Sequence, residues 1–483
     1  MFALTEKFFK MKKLLLLFSF IFFSFHFSFS QSPEIKRANH WYFGNGAGID
    51  FSSGTAVADT TGKLHTYEGC SVMSDTLGNL LFYTDGDTVW NKNHQPMPNG
   101  IGLMGCGNLG SSTNAGLIIP KPENDSVYYI FTTDCSENFP GNGFRYSVVD
   151  MSLNGGLGDI VNKNNLLFSP SVEGVAATKH CNGKDFWVVA HEFNNNNFHT
   201  YKIDNNGLNN TPIISSVGLT YDDFGIYLQF SPNGSKLASG YSNVYDVDQL
   251  FDFNNSSGEI CNLINLHGFF GGGYSPLFSP DNSKLYYMRS AKYIYQYDLL
   301  AGNDSASISN TWNIVYTGPD NSSFGALNNG ADTKIYIASP WDDTISVINN
   351  PNGYGLSSNL SFHSLYLDGK QSEVGLPVFI QNYFGNAIVC KTCTTDILNT
   401  MYEKNIFIQP NPSSGNFTIQ LSDFFRNEFW YLKVLDIYGN NIIYEKNYGR
   451  ERNVDLTKYS SGIYFIRIEA SDNQIKTKII INH

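Results

Sequence analysis

A chain of 483 residues is too long for one ordinary hydrophobic core and predicts two or three domains. Aromatic residues make up 15% and charged residues only 15%, with 44 glycines, a balance that suits strands and tight turns and argues against a mainly helical protein. The formal charge is −12, while residues 405–483 carry a net +1, so the acidity lies in the larger part of the chain. A phosphate backbone would be repelled there, and nucleic acid is not an expected partner.

The first element is an export signal. Lys7, Lys10, Lys12 and Lys13 form a basic head, and Leu14 to Phe29 is an apolar run. Ser28 and Ser30 then place small residues ahead of Gln31, which predicts a signal peptide over 1–30 with cleavage before Gln31. Met11 opens a second complete signal head, MKKLLLLF. The run is at the short end for a membrane span and is interrupted by Ser and His26, so no span is expected in the mature chain. Removing it takes the charge from −12 to −15.

Next comes a repeat: an apolar strand, a turn, and a second strand rich in aromatics. It reads CSVMSDTLGNLLFYTDG from Cys70, GLIIPKPENDSVYYIFTTD from Gly116 and VAATKHCNGKDFWVVAHE from Val175. It returns as YLQFSPNGSKLASGY from Tyr227, YSPLFSPDNSKLYYMRS from Tyr274 and FGALNNGADTKIYIASP from Phe324. The final copy, VGLPVFIQNYF from Val374, is partial. The starts lie about 45 to 60 residues apart, a period that fits four-stranded propeller blades. SPNG and SPDN put Pro second in a turn and Asn, Asp or Gly where φ must turn positive. Further strands follow, as in YIYQYDL from Tyr293 and TISVIN from Thr344. The segment HWYFGNGAGIDFSSG from His40 has strands but no inner partner, and pairing it with the Val374 copy would close a seventh blade. The expectation for 31–386 is a seven-bladed β-propeller closed by its N-terminal strands. A large β-sandwich is the alternative, but it needs no single turn chemistry at one period.

No catalytic constellation stands out in this region. His191-Glu192 begins like a zincin helix, but Asn195 stands where the second histidine is needed. Gly44, Gly46 and Gly48 lack the strand-to-helix setting that cradles phosphate. Trp90, Trp187 and Trp341 read as packing between blades, with sugar stacking as the sharper reading. Seven cysteines leave at least one unpaired within a monomer, and Cys390-x-x-Cys393 reads as a linker disulfide or as inert thiols. One pattern points to a ligand: Glu68, Glu173, Asp223 and Glu373 stand where inner strands begin, positions that converge around a propeller axis. Clustered carboxylates there would bind a sugar or hold Ca²⁺, or form only a solvated acidic rim; no other cofactor is implied.

Residues 387–404 read as a linker, and 405–483 as a small β-sandwich with about seven strands. Tyr464, Ile466 and Ile468 alternate there with Phe465, Arg467 and Glu469. The order PNPSSG, VLDIYGN, LTKYSSGIYFIRI and KTKIII resembles the type A C-terminal sorting domain, the family that directs Bacteroidota proteins through the type IX secretion system. The residues that match are Pro410, Asn411, Pro412, Gly415, Asp436, Gly439, Ser461, Gly462, Tyr464 and Lys478. The resemblance implies delivery across the outer membrane, with the secretion machinery as partner and a secreted or cell-surface destination. WYFGNGAGIDF, EGCSVMSDTLGNLLFYTDGDTVWN, RYSVVDMSLNGGLGDI and KHCNGKDFWVVAHE resemble an uncharacterised group of secreted Bacteroidota propellers, which carries no activity with it. The expected function is an exported binding protein for a glycan, a peptide or an envelope partner. The alternatives are a polysaccharide lyase or hydrolase, with His180, His191 and Arg145 as candidates beside the carboxylates, and a structural adhesin.

Overall fold

The computed structural model describes residues 34–106, 111–133, 135, 141–221, 225–241, 247–267, 273–319, 323–385, 387–393, 406–421, 429–470 and 473–483. The expected signal peptide and Asp223 lie outside the described residues. The chain divides into two compact units, Met1–Cys393 and Thr394–His483.

In the first unit the described residues form seven antiparallel sheets. The first has three strands, His40–Phe43, Ala47–Asp50 and Val57–Ala58. The other six begin with Ser71–Ser74, Leu117–Pro120, Ser171–Lys179, Ile226–Phe230, Gly273–Phe278 and Leu327–Asn329. Each continues through its next strands in chain order, four strands per sheet; the fourth sheet has a fifth, Ile213–Ser216, which pairs back with Asn197–Asp204. Local chemistry sets this pattern. At Ser231–Gly234 the Gly234 N–H closes on the Ser231 carbonyl at 2.9 Å with φ at 71°. Asn282 closes on Ser279 at 2.9 Å with φ at 66°. These are positions that Gly and Asn occupy at least strain.

First strands are buried along their whole length in the second, third and fifth sheets. Outer strands such as Leu360–Tyr366 are partly exposed throughout. From the second sheet to the seventh, each first strand packs on the first strand of the next sheet. His40–Phe43 packs on Ser71–Ser74. The rings of Trp41 and Phe51 meet Tyr336 of the seventh sheet at 5.6 Å and 5.4 Å. The sheet-to-sheet contacts therefore run in a closed cycle. Sheets buried against neighbours on both faces need apolar residues on both, which explains the continuous runs in the first strands.

The expected closure differs in detail. Val374–Phe384 forms no strand with the first sheet. The Val374 and Gly375 amides bond to the Tyr67 carbonyl at 2.9 Å and 3.2 Å, and the Val378 amide to the Cys70 carbonyl at 2.8 Å. Pro377, which has no N–H, makes a parallel bridge to Cys70. Phe379 packs on Trp41 at 5.9 Å. The segment thus hydrogen-bonds to the second sheet, ending in a short 3₁₀ turn at Gln381–Tyr383.

Residues 387–393, expected to begin a linker, are held on the first unit. Cys181 pairs with Cys390 and Cys261 with Cys393, so the C-x-x-C cysteines join a turn and the strand Glu259–His267 and not each other. The Val389 amide also bonds to the Asn233 carbonyl at 2.9 Å. A third disulfide joins Cys106 and Cys135, and Cys70 is a buried free thiol that burial pushes well above its ordinary pKa. Between the fifth and sixth sheets, Arg289 and Asp248 form a fully buried ion pair at 2.8 Å. The Tyr295 hydroxyl and the Gly273 amide supply further bonds to the same carboxylate, at 2.5 Å and 3.2 Å.

The second unit has two sheets. One joins Ile406–Gln409, Asn416–Leu421 and Glu451–Asp455. The other joins Asn441–Tyr448, Phe429–Leu435, Gly462–Ala470 and Asn473–Ile481. Its core includes Trp430, Leu432, Ile466, Ile468 and Ile479. Tyr464, Ile466 and Ile468 point inward while Phe465 stands 45% exposed, the alternation read from the sequence.

Candidate functional site

The starts of the first strands meet in one polar network. Glu173 is 3% exposed and accepts the Thr113 amide at 3.0 Å, and its own carbonyl takes the Thr133 hydroxyl at 2.8 Å. The Thr113 hydroxyl donates to the Ile226 carbonyl at 3.0 Å. The Tyr274 hydroxyl donates to Glu68 Oε1 at 3.2 Å, and the Tyr274 ring meets Tyr227 edge-on at 5.1 Å. Five sheets, the second to the sixth, are tied together by these contacts.

Charge and burial set the proton states. Burial, then the neighbouring Glu68 charge, push the Tyr227 and Tyr274 phenols far above their ordinary pKa, so both stay donors at physiological pH. Tyr67 is raised by burial, then by Glu68 and Glu373. Burial likewise raises the Glu373 carboxyl, whose Oε2 is buried without a partner among the described residues. Tyr274 thus bonds to Glu68 and also feels the Glu173 charge, and Tyr67 feels both Glu68 and Glu373. Among the described residues no group of three or more His, Cys, Asp or Glu is placed to hold a metal ion.

Tyr67, 39% exposed, faces Trp341 with ring centroids 6.4 Å apart. Trp341 lines an open cleft of about 420 Å³ together with Asn45, Asp342, Asp343, Lys370 and Gln371. Of the three tryptophans singled out above, Trp187 is buried with its indole N–H on the Asn255 carbonyl, and Trp90 stacks on Tyr83 at 5.4 Å. Trp341 is 60% exposed, which corrects the packing role expected for it. The sequence reading also passed over Tyr67, Tyr227, Tyr274 and Thr113. Tyr227 and Tyr274 each open a repeat copy, and that coincidence was the available signal.

The histidine and arginine candidates do not join the site. His191 is fully buried between the edges of Phe198 and Tyr221, and burial holds its pKa down at about 3. It lies on the strand Phe186–Glu192, so no zincin helix exists. His180 stacks on Trp187 after the far end of its first strand, and Arg145 donates to the Asn142 and Asn164 carbonyls at 2.6 Å and 2.8 Å.

In the second unit, the matched motif residues hold turns and the last strand. Asn411 accepts the Ile480 amide at 3.0 Å and donates to the Lys478 carbonyl at 3.2 Å. Gly415 has φ at 112° and no room for a Cβ against Thr457. Asp436 caps its turn by accepting the Tyr438 and Asn440 amides at 2.9 Å each, and the Asn440 side chain holds its carboxyl below the usual range. Gly439 supplies the positive φ of 83° that this turn needs. The Tyr464 hydroxyl ties back to the Ser460 carbonyl at 2.8 Å, and Ser461 accepts the His483 amide at 3.1 Å.

Residues 407–482 match the family model of the secretion system C-terminal sorting domain. The chain carries a sorting domain. Proteins so marked are secreted or surface-attached through the type IX system, and that is where this chain goes. The sorting domain also implies the type IX machinery as its partner. Among the described residues no helix is long and apolar enough to cross a membrane. No curated protein matches the chain. Among solved structures, it is similar to a putative 6-phosphogluconolactonase from Bacteroides uniformis, 14% identical over 62% of this chain and 97% of that one, TM-score 0.35. It is also similar to a quinonprotein alcohol dehydrogenase-like protein from Bacteroides thetaiotaomicron, 11% identical over 68% and 76%, TM-score 0.38.

Proposed function

We propose that residues 34–393 form a seven-bladed β-propeller that acts outside the cell as a binding protein, with its ligand face where the first strands begin. The closed cycle of sheet contacts supports the blade count. The observation that carries the binding reading is the hydrogen bond from Tyr274 to Glu68, which joins residues far apart in the chain, from two different sheets' leading segments. Tyrosine donors and carboxylate acceptors gathered at one mouth suit a ligand rich in hydroxyl or amide groups.

The full mature protein, probed against glycan and peptide arrays and against outer-membrane extract, tests this. Glu68→Gln keeps an acceptor for Tyr274 but removes the charge. It should leave the melting temperature nearly unchanged and weaken the bound ligand at least about tenfold, a loss of about 1.4 kcal/mol. Silence of the wild-type protein on all three probes overturns the binding reading.

A further inference from the structure

We propose that the cleft beside Trp341 is a carbohydrate subsite, in which the indole stacks on the apolar face of a neutral pyranose ring. This rests on the reading of the first unit as an exported binding protein and names one ligand class and one place for it.

Backbone strain is the first observation. Pro340 and Trp341 occupy the middle of a turn closed by the Asp342 amide on the Ser339 carbonyl at 3.1 Å, and Trp341 has φ at 63°. The third position of such a turn is one that glycine fills without strain and a bulky side chain does not. The turn is locked on both sides: the Trp341 amide bonds to the Ser372 carbonyl at 2.8 Å, and Gln371 Nε2 donates to the Trp341 carbonyl at 3.3 Å. Packing does not explain the choice of residue, because the side chain is 60% exposed. Strain kept at a solvent-facing aromatic points to a ligand.

The lining then selects the class. Tyr67 lies against the indole with its ring tilted 39° to it, although it does not itself line the cleft. The Asp343 carboxylate and the Lys370 ammonium both line the cleft, and neither has a side-chain partner among the described residues. Asp342 is already engaged by the Thr344 amide and hydroxyl at 2.9 Å and 2.6 Å. An apolar ring face beside a free acceptor and a free donor matches a sugar, which has C–H groups on one face and hydroxyls around its edge. The two neighbouring aspartates disfavour an acidic sugar.

The test is affinity electrophoresis of the full mature protein in gels containing laminarin, xyloglucan, galactomannan or pullulan, with melting temperatures measured alongside. The wild-type protein should be retarded by at least one polysaccharide. Trp341→Gly should raise the dissociation constant at least tenfold while melting at the same or a higher temperature, because glycine relieves the turn. A folded Trp341→Gly protein that is retarded as strongly as the wild type overturns the subsite, as does a wild type retarded by none of the four. Retention on a proline-rich peptide column that Trp341→Gly abolishes, without polysaccharide retardation, assigns the cleft to peptide and overturns the carbohydrate reading. Polysaccharide binding lost in Glu68→Gln but kept in Trp341→Gly leaves the ligand face standing and overturns only this subsite.

Discussion

Asn411 in the sorting domain and Glu68 in the first unit are both polar residues in loops, yet they act differently. Asn411 closes a turn onto the strand next to it, through two bonds to the last strand of its own sandwich. Glu68 takes a hydroxyl from a strand some two hundred residues away. In the sorting domain the distinctive residues build the fold that is recognised. In the first unit a polar residue such as Glu68 ties one sheet to another while repeated apolar strands build the fold. The difference teaches that a family motif reports an address here, and that the cargo's chemistry has to be read from contacts between repeats.

The sharpest way to separate the two units is to break the first from inside. Arg289→Met leaves the buried Asp248 carboxyl without its partner, and should destabilise the first unit by about 3–5 kcal/mol. Calorimetry of the full chain should show that transition fall while the sorting-domain transition stays in place. Movement of both together would contradict two separate units.

Next in size are the disulfides. Removing the Cys181–Cys390 bridge by double replacement with Ser should lower the stability of the first unit by about 2–4 kcal/mol, read from urea unfolding. No change would mean that this bridge contributes nothing to it.

A smaller, pH-dependent effect follows from His191, whose pKa burial holds at about 3. The unfolded chain takes up that proton below an ordinary pKa of about 6.5, and the folded chain does not. Its stabilising contribution is therefore complete above that pH and is lost as pH falls, by about 1.4 kcal/mol per unit. Asp85, pushed up to about 6 by burial, acts in the opposite direction over the acid range. It is common to wild type and His191→Gln, so the difference between the two isolates the histidine. Stability measured at pH 7 and pH 5 should fall less in His191→Gln than in wild type; equal losses would contradict the burial account.

The smallest effect belongs to the sorting domain. Asn411→Ala removes two partly solvated hydrogen bonds and should lower that domain's stability by about 1 kcal/mol, with the first-unit transition unmoved.

How much of this the sequence carried depended on range. The repeat copies at Cys70, Gly116, Tyr227 and Tyr274 fall within a residue of observed strand starts, because alternation and turn chemistry are local. The Asn411 and Asp436 turns were legible for the same reason. Cysteine pairing was not, since Cys181 and Cys390 lie 209 residues apart and nothing local distinguishes their bond from a bridge within C-x-x-C. Glu68 and Glu173 stand out by their equivalent places in the repeat, but their partners Tyr274 and Thr113 come from other sheets and are not legible locally. Trp341 was misread because its exposure depends on how Ser372 and Gln371 pack against its turn. A tryptophan directly after Pro340 at a position that favours glycine was the missed sign.

The account's central claim is that the C-terminal unit addresses and the first unit is a separately folded cargo. Fractionating cells that express the chain without residues 405–483 tests it most directly. The account predicts a first unit with its normal melting temperature, trapped in the periplasm and absent from the surface and the medium. Truncated protein delivered to the surface or medium at the normal level would contradict it.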